Sequence, residues 1–222
     1  MTDILCYFCD EQIVVCEKPA GLLSEGEGEH TLPSLLRAQL SSEIYPVHRL
    51  DRDTTGLMVF AKTSRAAADL SRQITEGGFD KEYLALLCGT PNEPSGTLSD
   101  LLFYDRQRGK SFVVTKERKG VKRAELTYEL LATVEHRSLV RVHLLTGRTH
   151  QIRVQFASRK LPLVGDRRYG APADGASIAL HAFHLTFRHP ASGKAMEFFS
   201  SPSTEEFFPF SEHLPIEKSE KI

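Results

Sequence analysis

The chain of 222 residues lacks the long apolar run of a membrane-spanning helix, because no stretch approaches about 18 apolar residues. Its N-terminus has neither the basic region nor the apolar region of a secretory signal. We therefore expect a cytoplasmic protein with no membrane partner. Its four cysteines suit neither a disulfide framework nor a zinc site, which predicts free, reduced and mostly buried thiols.

Motifs that bind nucleotide cofactors or metals are also missing. Neither a P-loop nor a GxGxxG run occurs, which argues against nucleotide cofactors. His181 and His184 lie three residues apart in a predicted strand, where their side chains point to opposite faces. No HExxH motif or second CxxC pair accompanies them. We therefore predict a protein that uses no metal and no cofactor.

An overall excess of basic residues is absent, since the formal net charge is −1, and this argues against a general polyanion binder. The charge is unevenly distributed, however. Residues 1–30 carry seven acidic residues and Lys18 as their one base, and residues 205–222 form an acidic tail with five acids and two lysines. Residues 31–204 hold 25 basic and 17 acidic residues, a net charge of +8. A basic middle therefore lies between two acidic ends.

Capping residues and apolar spacing predict three helices. Thr31 followed by leucines at helical spacing predicts a helix over 32–40. Ser64 is predicted to cap a second helix, which Gly77 ends, and a third is predicted from about 149 to 158. Thr204 can cap a final short helix.

Short apolar segments separated by turn residues predict strands over 4–8, 12–17, 57–61 and 83–88, several strands within 97–145, and a hairpin formed by 180–187 and 195–199. The regular alternation of strands and helices that marks a doubly wound sheet is missing. No internal repeat or long linker divides the chain. The predicted fold is a single α+β domain over 1–222, with a mixed, mainly antiparallel sheet and flanking helices.

The densest run of polar residues is HRLDRDTTG over 48–56, which lies between a proline-containing element and a buried strand. Loops held between rigid elements often carry catalytic groups. Arg49 and Arg52 flank Asp51 and bias its carboxyl group towards the ionised form, which suits a nucleophile or a base. The alternative is a surface turn in which the aspartates accept hydrogen bonds from local backbone N–H groups.

Two further loops carry arginines. Arg148 lies where a strand ends and a helix begins, so it can pair with a carboxylate or bind a phosphate. The run GDRRYG over 165–170 presents Arg167 and Arg168 in a loop bounded by glycines, for which the alternative is an exposed turn.

Residues 105–123 hold eight bases and two acids, interleaved with aromatic residues that include Phe112 and the preceding Tyr104. This pattern fits contact with a nucleic-acid backbone, because phosphate contacts dominate the affinity of such complexes. The alternative is a solvated, charged hairpin.

Four motifs in chain order resemble the RluA family of RNA pseudouridine synthases: HRLDRDTTG (48–56), KEYLALLCG (81–89), LLTGRTHQIRVQFA (144–157) and GDRRYG (165–170). With the flanking segments, the resemblance covers about residues 5–200. It implies the pseudouridine synthase fold with a central catalytic cleft, and the isomerisation of specific uridines in structured RNA, either ribosomal or transfer RNA. Because it begins close to residue 4, we expect one catalytic domain without the S4 RNA-binding module of many relatives, and we expect a monomer.

The resemblance also assigns roles to residues. Asp51 is the catalytic aspartate, Tyr83 packs on the target base, and Arg148 is the basic partner that keeps the aspartate ionised. Arg49 enters the base stack when the uridine flips out. The other expected substrate contacts are His48, Arg52, Thr54, Thr149, Gln151 and Arg153, and the expected RNA-backbone contacts are Arg118, Lys119, Lys122, Arg123, Arg167 and Arg168.

Several alternatives stay open at this point. Asp51 could attack C1′ of the ribose or act as a base at C2′. A non-catalytic RNA-binding or folding factor could use the same fold. A glycoside or nucleoside hydrolase could use Asp51 together with Asp53, and it would release free uracil.

Overall fold

The computed structural model describes residues 3–173 and 177–215, and the chain divides into two compact units. The first unit comprises residues 1–81, 181–202 and 215–222, and the second comprises residues 82–180 and 203–214. The single domain over 1–222 stays a prediction. Residues 216–222 of the predicted acidic tail lie outside the described residues.

The described elements in chain order are β1 (Cys6–Cys9), β2 (Ile13–Lys18), α1 (Leu32–Leu40), β3 (Tyr45–Pro46), β4 (Thr55–Ala61), α2 (Ser64–Glu76), β5 (Asp80–Cys88), β6 (Ser95–Asp105), β7 (Lys110–Val114), β8 (Val121–Val134), β9 (Arg137–Leu144), α3 (Gln151–Ala157), a 3-10 turn (Arg167–Tyr169), β10 (Leu180–Arg188), β11 (Ala195–Phe199) and a 3-10 helix (Glu205–His213). The strands account for most of the predicted apolar segments, with ends that differ by a few residues. No helix within residues 3–173 and 177–215 has both the length and the apolar composition needed to cross a lipid bilayer.

In the first unit the strands lie in the order β1-β2-β4-β10, with β3 beside β4 and β11 beside β10. The pairings are antiparallel except for β4 and β10, which run parallel with Thr55 opposite His181. One core cluster includes Val15 of β2, Val59 of β4 and Leu70 of α2. The apolar stripe of α2 therefore covers one face of this sheet.

In the second unit the strands lie in the order β5-β9-β8-β6-β7, and all four pairings are antiparallel. Leu102 of β6, Ala124 of β8 and Val154 of α3 form a small buried cluster, against which Val113 and Tyr169 pack. Helix α3 therefore covers the sheet face that carries Leu102. The predicted mixed, mainly antiparallel sheet with flanking helices is confirmed.

The helix ends show which local signals are decisive. Helix α1 spans the predicted residues, and the hydroxyl of Thr31 accepts a hydrogen bond from the backbone N–H of Ser34. The predicted cap of α2 was wrong by one residue. Thr63, with an extended backbone at φ −131°, accepts the capping bond from Ala66 N–H, so Ser64 is already helical. The last helix is a 3-10 helix, and it contains Pro209.

The cysteines are free, as predicted, but they are less buried than expected. Cys16 is fully buried in the central strand β2. Cys6 and Cys9 are partly exposed because β1 is the edge strand of its sheet, and Cys88 at the end of β5 is also partly exposed. Burial raises the pKa of the Cys16 thiol well above its usual value, so this sulfur stays protonated.

Gly56 occupies a position that no other residue fits. Its φ is +108°, and a Cβ atom placed on it would lie 2.3 Å from the carbonyl oxygen of Ala182 in β10. We expect Gly56→Ala to lower the free energy of unfolding by about 3 kcal/mol or more, since left-handed strain alone costs about 1–3 kcal/mol. The matched control is Gly77→Ala, where φ is +81° but no atom lies within 4 Å of the added Cβ. Urea denaturation compares the two variants, and equal losses of stability would contradict the role of the close approach.

Candidate active site

Residues 48–56, here called the Asp51 loop, comprise a loop and the first two residues of β4. Lys18 at the end of β2 forms hydrogen bonds with this segment. The Lys18 ammonium is fully buried and donates to three carbonyl oxygens: Pro19 at 2.9 Å, Arg52 at 2.7 Å and Thr54 at 2.8 Å. An ammonium group has three N–H donors, so this geometry uses all of them. Lys18 therefore ties two carbonyl groups of the Asp51 loop to the end of β2.

Lys18 is also coupled electrostatically to the two aspartates of the loop. Burial lowers its pKa from 10.5 to about 8, and the carboxylates of Asp53 and Asp51 oppose that shift. The Lys18 ammonium therefore interacts with both carboxylates of this loop. In the sequence Lys18 stands out only as the lone base of an acidic segment, and it was not among the predicted site residues. The signal that could have found it is a lysine followed by proline at the end of a buried strand.

Two arginines of the Asp51 loop are exposed, and each has a partner in the first unit. Arg49 forms an ion pair with Glu25 at 2.8 Å, and each of the two side chains is about half exposed. Arg52 donates from Nε to the carbonyl oxygen of Gly21 at 3.0 Å. Asp51 is partly buried, and its backbone carbonyl oxygen accepts a hydrogen bond from the backbone N–H of Thr54 at 3.1 Å. The aspartate thus lies in a backbone-bonded turn.

His48 and Thr54, both predicted to contact the substrate, face the interior of the first unit. His48 Nε2 lies 3.1 Å from the backbone N–H of Val59 and accepts its hydrogen bond. Burial lowers the pKa of His48 well below its usual value, so the ring is neutral. Thr54 is 2% exposed. These contacts give His48 and Thr54 a part in shaping the loop.

A buried chain of polar side chains links the loop to β10 and β2. The Thr55 hydroxyl lies 2.8 Å from His181 Nδ1, and His181 Nε2 lies 3.0 Å from the carbonyl oxygen of Ser200. The Ser200 hydroxyl then donates to Glu17 at 2.7 Å, as does the Tyr7 hydroxyl. Burial lowers the pKa of His181 to about 4, so the ring is neutral at physiological pH. Because a carbonyl oxygen only accepts, Nε2 carries the proton and Nδ1 accepts from Thr55.

In the second unit, Tyr83 and Arg148 occupy different environments. Tyr83 lies in β5 opposite Val142 of β9 and is 4% exposed. Arg148 is exposed in the loop after β9, where its Nε donates to the carbonyl oxygen of Arg123 at 3.0 Å. Its backbone N–H donates to the side-chain oxygen of Gln151 at 3.0 Å. The buried Gln151 also donates to the carbonyl oxygen of Glu125 at 3.0 Å, so it fixes the backbone of the Arg148 loop.

Arg153 has a buried partner. Its guanidinium makes two hydrogen bonds to the Asp166 carboxylate, at 2.7 and 3.0 Å, and both side chains are almost fully buried. A bidentate pair of this kind satisfies both charges, and breaking it would leave an uncompensated buried charge. Arg153 was predicted to contact the substrate, whereas the structure has it joining α3 to the segment before the 3-10 turn.

The segment Arg167–Tyr169 holds the tip of the β6–β7 hairpin. Arg168 donates to the carbonyl oxygen of Gly109 at 2.8 Å, and Lys110 donates to the carbonyl oxygen of Arg168 at 2.6 Å. The Tyr169 hydroxyl accepts the N–H of Ser111 at 2.8 Å and lies 3.2 Å from the carbonyl oxygen of that residue. The Ser111 hydroxyl in turn donates to the carbonyl oxygen of Thr149 at 2.5 Å. We call this group of contacts the hairpin latch.

Loss of one hydroxyl tests the hairpin latch. We expect Tyr169→Phe to lower the free energy of unfolding by about 1–3 kcal/mol, because the buried N–H of Ser111 loses its acceptor. Tyr128→Phe is the control, since that hydroxyl donates at 3.3 Å to the carbonyl oxygen of Glu93, an exposed residue. Urea denaturation gives the stabilities, and amide exchange at Ser111 should be faster only in Tyr169→Phe. Equal stabilities for the two variants would contradict the latch.

The predicted site residues are thus distributed over both units. The first unit holds Asp51 with His48, Arg49, Arg52 and Thr54. The second holds the remaining predicted residues, namely Tyr83, Arg118, Lys119, Lys122, Arg123, Arg148, Thr149, Gln151, Arg153, Arg167 and Arg168. Within the described parts of the chain, no group of three or more histidine, cysteine, aspartate or glutamate side chains is arranged to hold a metal ion. That the protein works without a metal stays a prediction.

Comparisons with known proteins agree on one family. A family model described as RNA pseudouridylate synthase matches residues 12–158. Ribosomal large subunit pseudouridine synthase D of Zymomonas mobilis is 34% identical over 213 residues, which cover 86% of this chain and 67% of that protein. An RNA pseudouridine synthase of Mycoplasma pneumoniae is 35% identical over 85% of this chain and 63% of its own length. The chain therefore spans about two thirds of the length of these curated relatives.

A solved structure shows the same fold. Human RNA pseudouridylate synthase domain containing 1 matches with a TM-score of 0.77 and 25% identity, over 93% of this chain and 85% of that chain. The fold predicted from the sequence motifs is therefore also found in this solved RNA pseudouridylate synthase domain protein.

Proposed function

Because the chain belongs to the RluA family of RNA pseudouridine synthases, which are isomerases, we propose that it converts specific uridines in structured RNA to pseudouridine with Asp51 as the catalytic carboxylate. The observation that carries this proposal is the Asp51 loop, in which the family motif is fixed by the buried Lys18. The substrate is ribosomal RNA, transfer RNA or both. We also propose that the protein acts in the cytoplasm as a monomer and needs no metal or other cofactor.

The reaction sets the chemical requirements of the site. Uridine loses its N1–C1′ bond, the detached uracil turns over, and a C5–C1′ bond forms. C5 then loses a proton and N1 gains one, so that the product is an isomer of uridine. A carboxylate at Asp51 can attack C1′ or remove a proton at C2′. Both routes need an ionised carboxylate, and Asp51 interacts electrostatically with the Lys18 ammonium.

The other family roles fall on residues of matching chemistry. Tyr83 offers a ring for the target base and a hydroxyl that can help remove the C5 proton. Arg148 supplies the positive charge that the family pattern pairs with the aspartate. Arg49, which is exposed, replaces the flipped uridine in the base stack, and flipping costs less in an RNA loop than in a duplex. Arg49 must break its ion pair with Glu25 before it can enter the RNA.

Some predicted substrate contacts are better assigned to positioning roles. Gln151, Arg153 and His48 have partners inside their own units, so we propose that they shape the loops that carry Arg148 and Asp51. Arg168 acts through the hairpin latch. Thr54, which is 2% exposed, has a positioning role in the Asp51 loop as well. Arg52, Thr149 and Arg167 stay proposed as contacts of the substrate or its backbone.

Mapping of pseudouridine in total RNA tests the proposal. We expect at least one pseudouridine to be missing from cells without the gene and to return with the wild-type gene. Purified protein should form pseudouridine in the same RNA without added cofactor. A complete pseudouridine map in the deletion strain would favour a non-catalytic RNA-binding factor, and release of free uracil would favour a hydrolase.

A further inference from the structure

One face of the β6–β7–β8 sheet carries a row of apolar side chains. Phe103 of β6 is directly opposite Phe112 of β7 and Val121 of β8. Directly opposite residues of antiparallel strands point to the same face, so the three side chains form one row. All three are partly exposed. Their neighbour Leu102 points to the other face, the one that packs against α3.

Cations lie over both aromatic rings of this row. The Arg118 guanidinium lies 4.6 Å from the centre of the Phe103 ring. Arg108 and Lys110 lie 5.9 and 5.7 Å from the centre of the Phe112 ring. Rings and guanidinium planes are the two kinds of surface on which unpaired nucleobases stack.

Three cations beside this row have no carboxylate partner. Arg118, Lys119 and Arg123 are exposed, and none of them forms an ion pair within the described part of the chain. Lys122 is directly opposite Leu102, so its side chain belongs to the other face. The acidic residue Asp105 is engaged with Arg108 at 3.6 Å and with the N–H groups of the β6–β7 turn. The positive charge is therefore available to phosphates, and the row with its cations is here called the stacking face.

We propose that the stacking face binds an unpaired segment of the RNA substrate, with bases on Phe103 and Phe112 and phosphates on Arg118, Lys119 and Arg123. This inference rests on the proposed function and adds where, and in which form, the RNA is held. A solvated, charged hairpin would need only the cations. The aligned rings are the second feature, and they favour single strands because the bases of a duplex are already stacked on each other.

Binding of a short fluorescein-labelled oligoadenylate tests the proposal, since it contains no uridine for the catalytic site. We expect the double variant Phe103→Leu, Phe112→Leu to bind it at least about thirtyfold more weakly, because the loss of two stacking contacts at the lower end of their usual strength corresponds to about that factor. Affinity for an RNA duplex of the same length should change by less than about twofold. Leucine keeps the face apolar, and thermal melting checks that the variant is folded.

The cations are tested by salt dependence. Replacing Arg118, Lys119 and Arg123 with glutamine should make the dependence of affinity on salt shallower, by about 0.7 in the logarithmic slope for each phosphate that the variant no longer neutralises. The leucine variant should keep the wild-type slope. Phe208→Leu and Arg65→Gln are matched controls, since Phe208 is 60% exposed and Arg65 is exposed on α2, and both should bind as the wild type does.

Equal reductions in affinity for oligoadenylate and duplex, or an unchanged affinity in the leucine variant, would overturn the proposal. If that variant does not fold, ultraviolet crosslinking of oligoadenylate to the wild-type protein replaces it. Crosslinks at Phe103 or Phe112 support the stacking face, and crosslinks confined to other residues overturn it. Absence of pseudouridine formation with intact, ring-dependent binding refutes the proposed function alone, whereas normal pseudouridine formation with ring-independent binding refutes the stacking face alone.

Discussion

Asp51→Asn is expected to reduce pseudouridine formation by at least about 10³-fold while RNA binding changes little. The amide keeps the size of the side chain but cannot attack C1′ or accept a proton from C2′, and catalysis by a single acid or base contributes about 10²–10⁴-fold. Turnover is measured with purified protein on an RNA identified by the pseudouridine map, and affinity is measured on the same RNA.

Asp53→Asn is the matched control because the two carboxylates lie in one loop and both act on Lys18. Asp53 is exposed, and we expect its amide variant to retain most of the activity. Similar reductions in both variants would point to a general electrostatic effect of the loop. Substantial isomerisation by Asp51→Asn would refute the assignment of Asp51 as the catalytic carboxylate.

Lys18→Met should produce the second largest effect. Methionine fills a similar volume but leaves the carbonyl oxygens of Pro19 and Thr54 without this donor, so the Asp51 loop loses its attachment to β2. Because misplacing a reacting group by about 1 Å can cost about 10²-fold, we expect turnover to fall by roughly that factor. The measurement is single-turnover pseudouridine formation at saturating RNA.

Lys62→Met separates loop positioning from general stability. Lys62 is partly buried just after β4 in the same unit and donates to the carbonyl oxygen of Asp10 at 2.5 Å, so its partner lies outside the Asp51 loop. Its replacement should lower the melting temperature with little change in turnover per folded molecule. Turnover by Lys18→Met within about twofold of the wild-type rate would contradict the positioning role.

The wild-type protein and Lys18→Met should also differ in how the free energy of unfolding depends on pH. Burial lowers the pKa of Lys18 to about 8 in the folded chain, whereas the unfolded chain holds this proton up to about pH 10.5. The unfolded state therefore binds more protons between these values, and the free energy of unfolding increases with pH there. Measured relative to Lys18→Met, wild-type stability should rise from about pH 8 to about pH 10.5. A difference that does not vary with pH would show that Lys18 titrates normally.

Elements whose signals lie within a few residues were predicted well. Helix α1 needed only Thr31 and the spacing of its leucines, and it spans the predicted residues. The cap of α2 was assigned one residue late because Thr63 and Ser64 both carry hydroxyl groups. The choice between them depends on backbone angles that the rest of the fold determines.

Features that depend on distant parts of the chain could not be predicted. The parallel pairing of β4 with β10 joins residues more than a hundred positions apart, such as Thr55 and His181. The sequence shows the charge of Lys18 and Arg168, but the burial of Lys18 and the carbonyl partners of both side chains exist only after folding. The order of the motifs predicted the functional residues of the Asp51 loop. The residues that fix the shape of the loop, such as Lys18, were identified only in the structure.

The contact of Thr55 with His181 also bears on when the protein can work during its synthesis. A nascent chain that ends at residue 180 carries the whole HRLDRDTTG motif but lacks the strand that packs on Gly56 and the imidazole that bonds Thr55. The buried chain to Ser200 closes later still. Translation must therefore pass residue 200 before the motif acquires its final geometry.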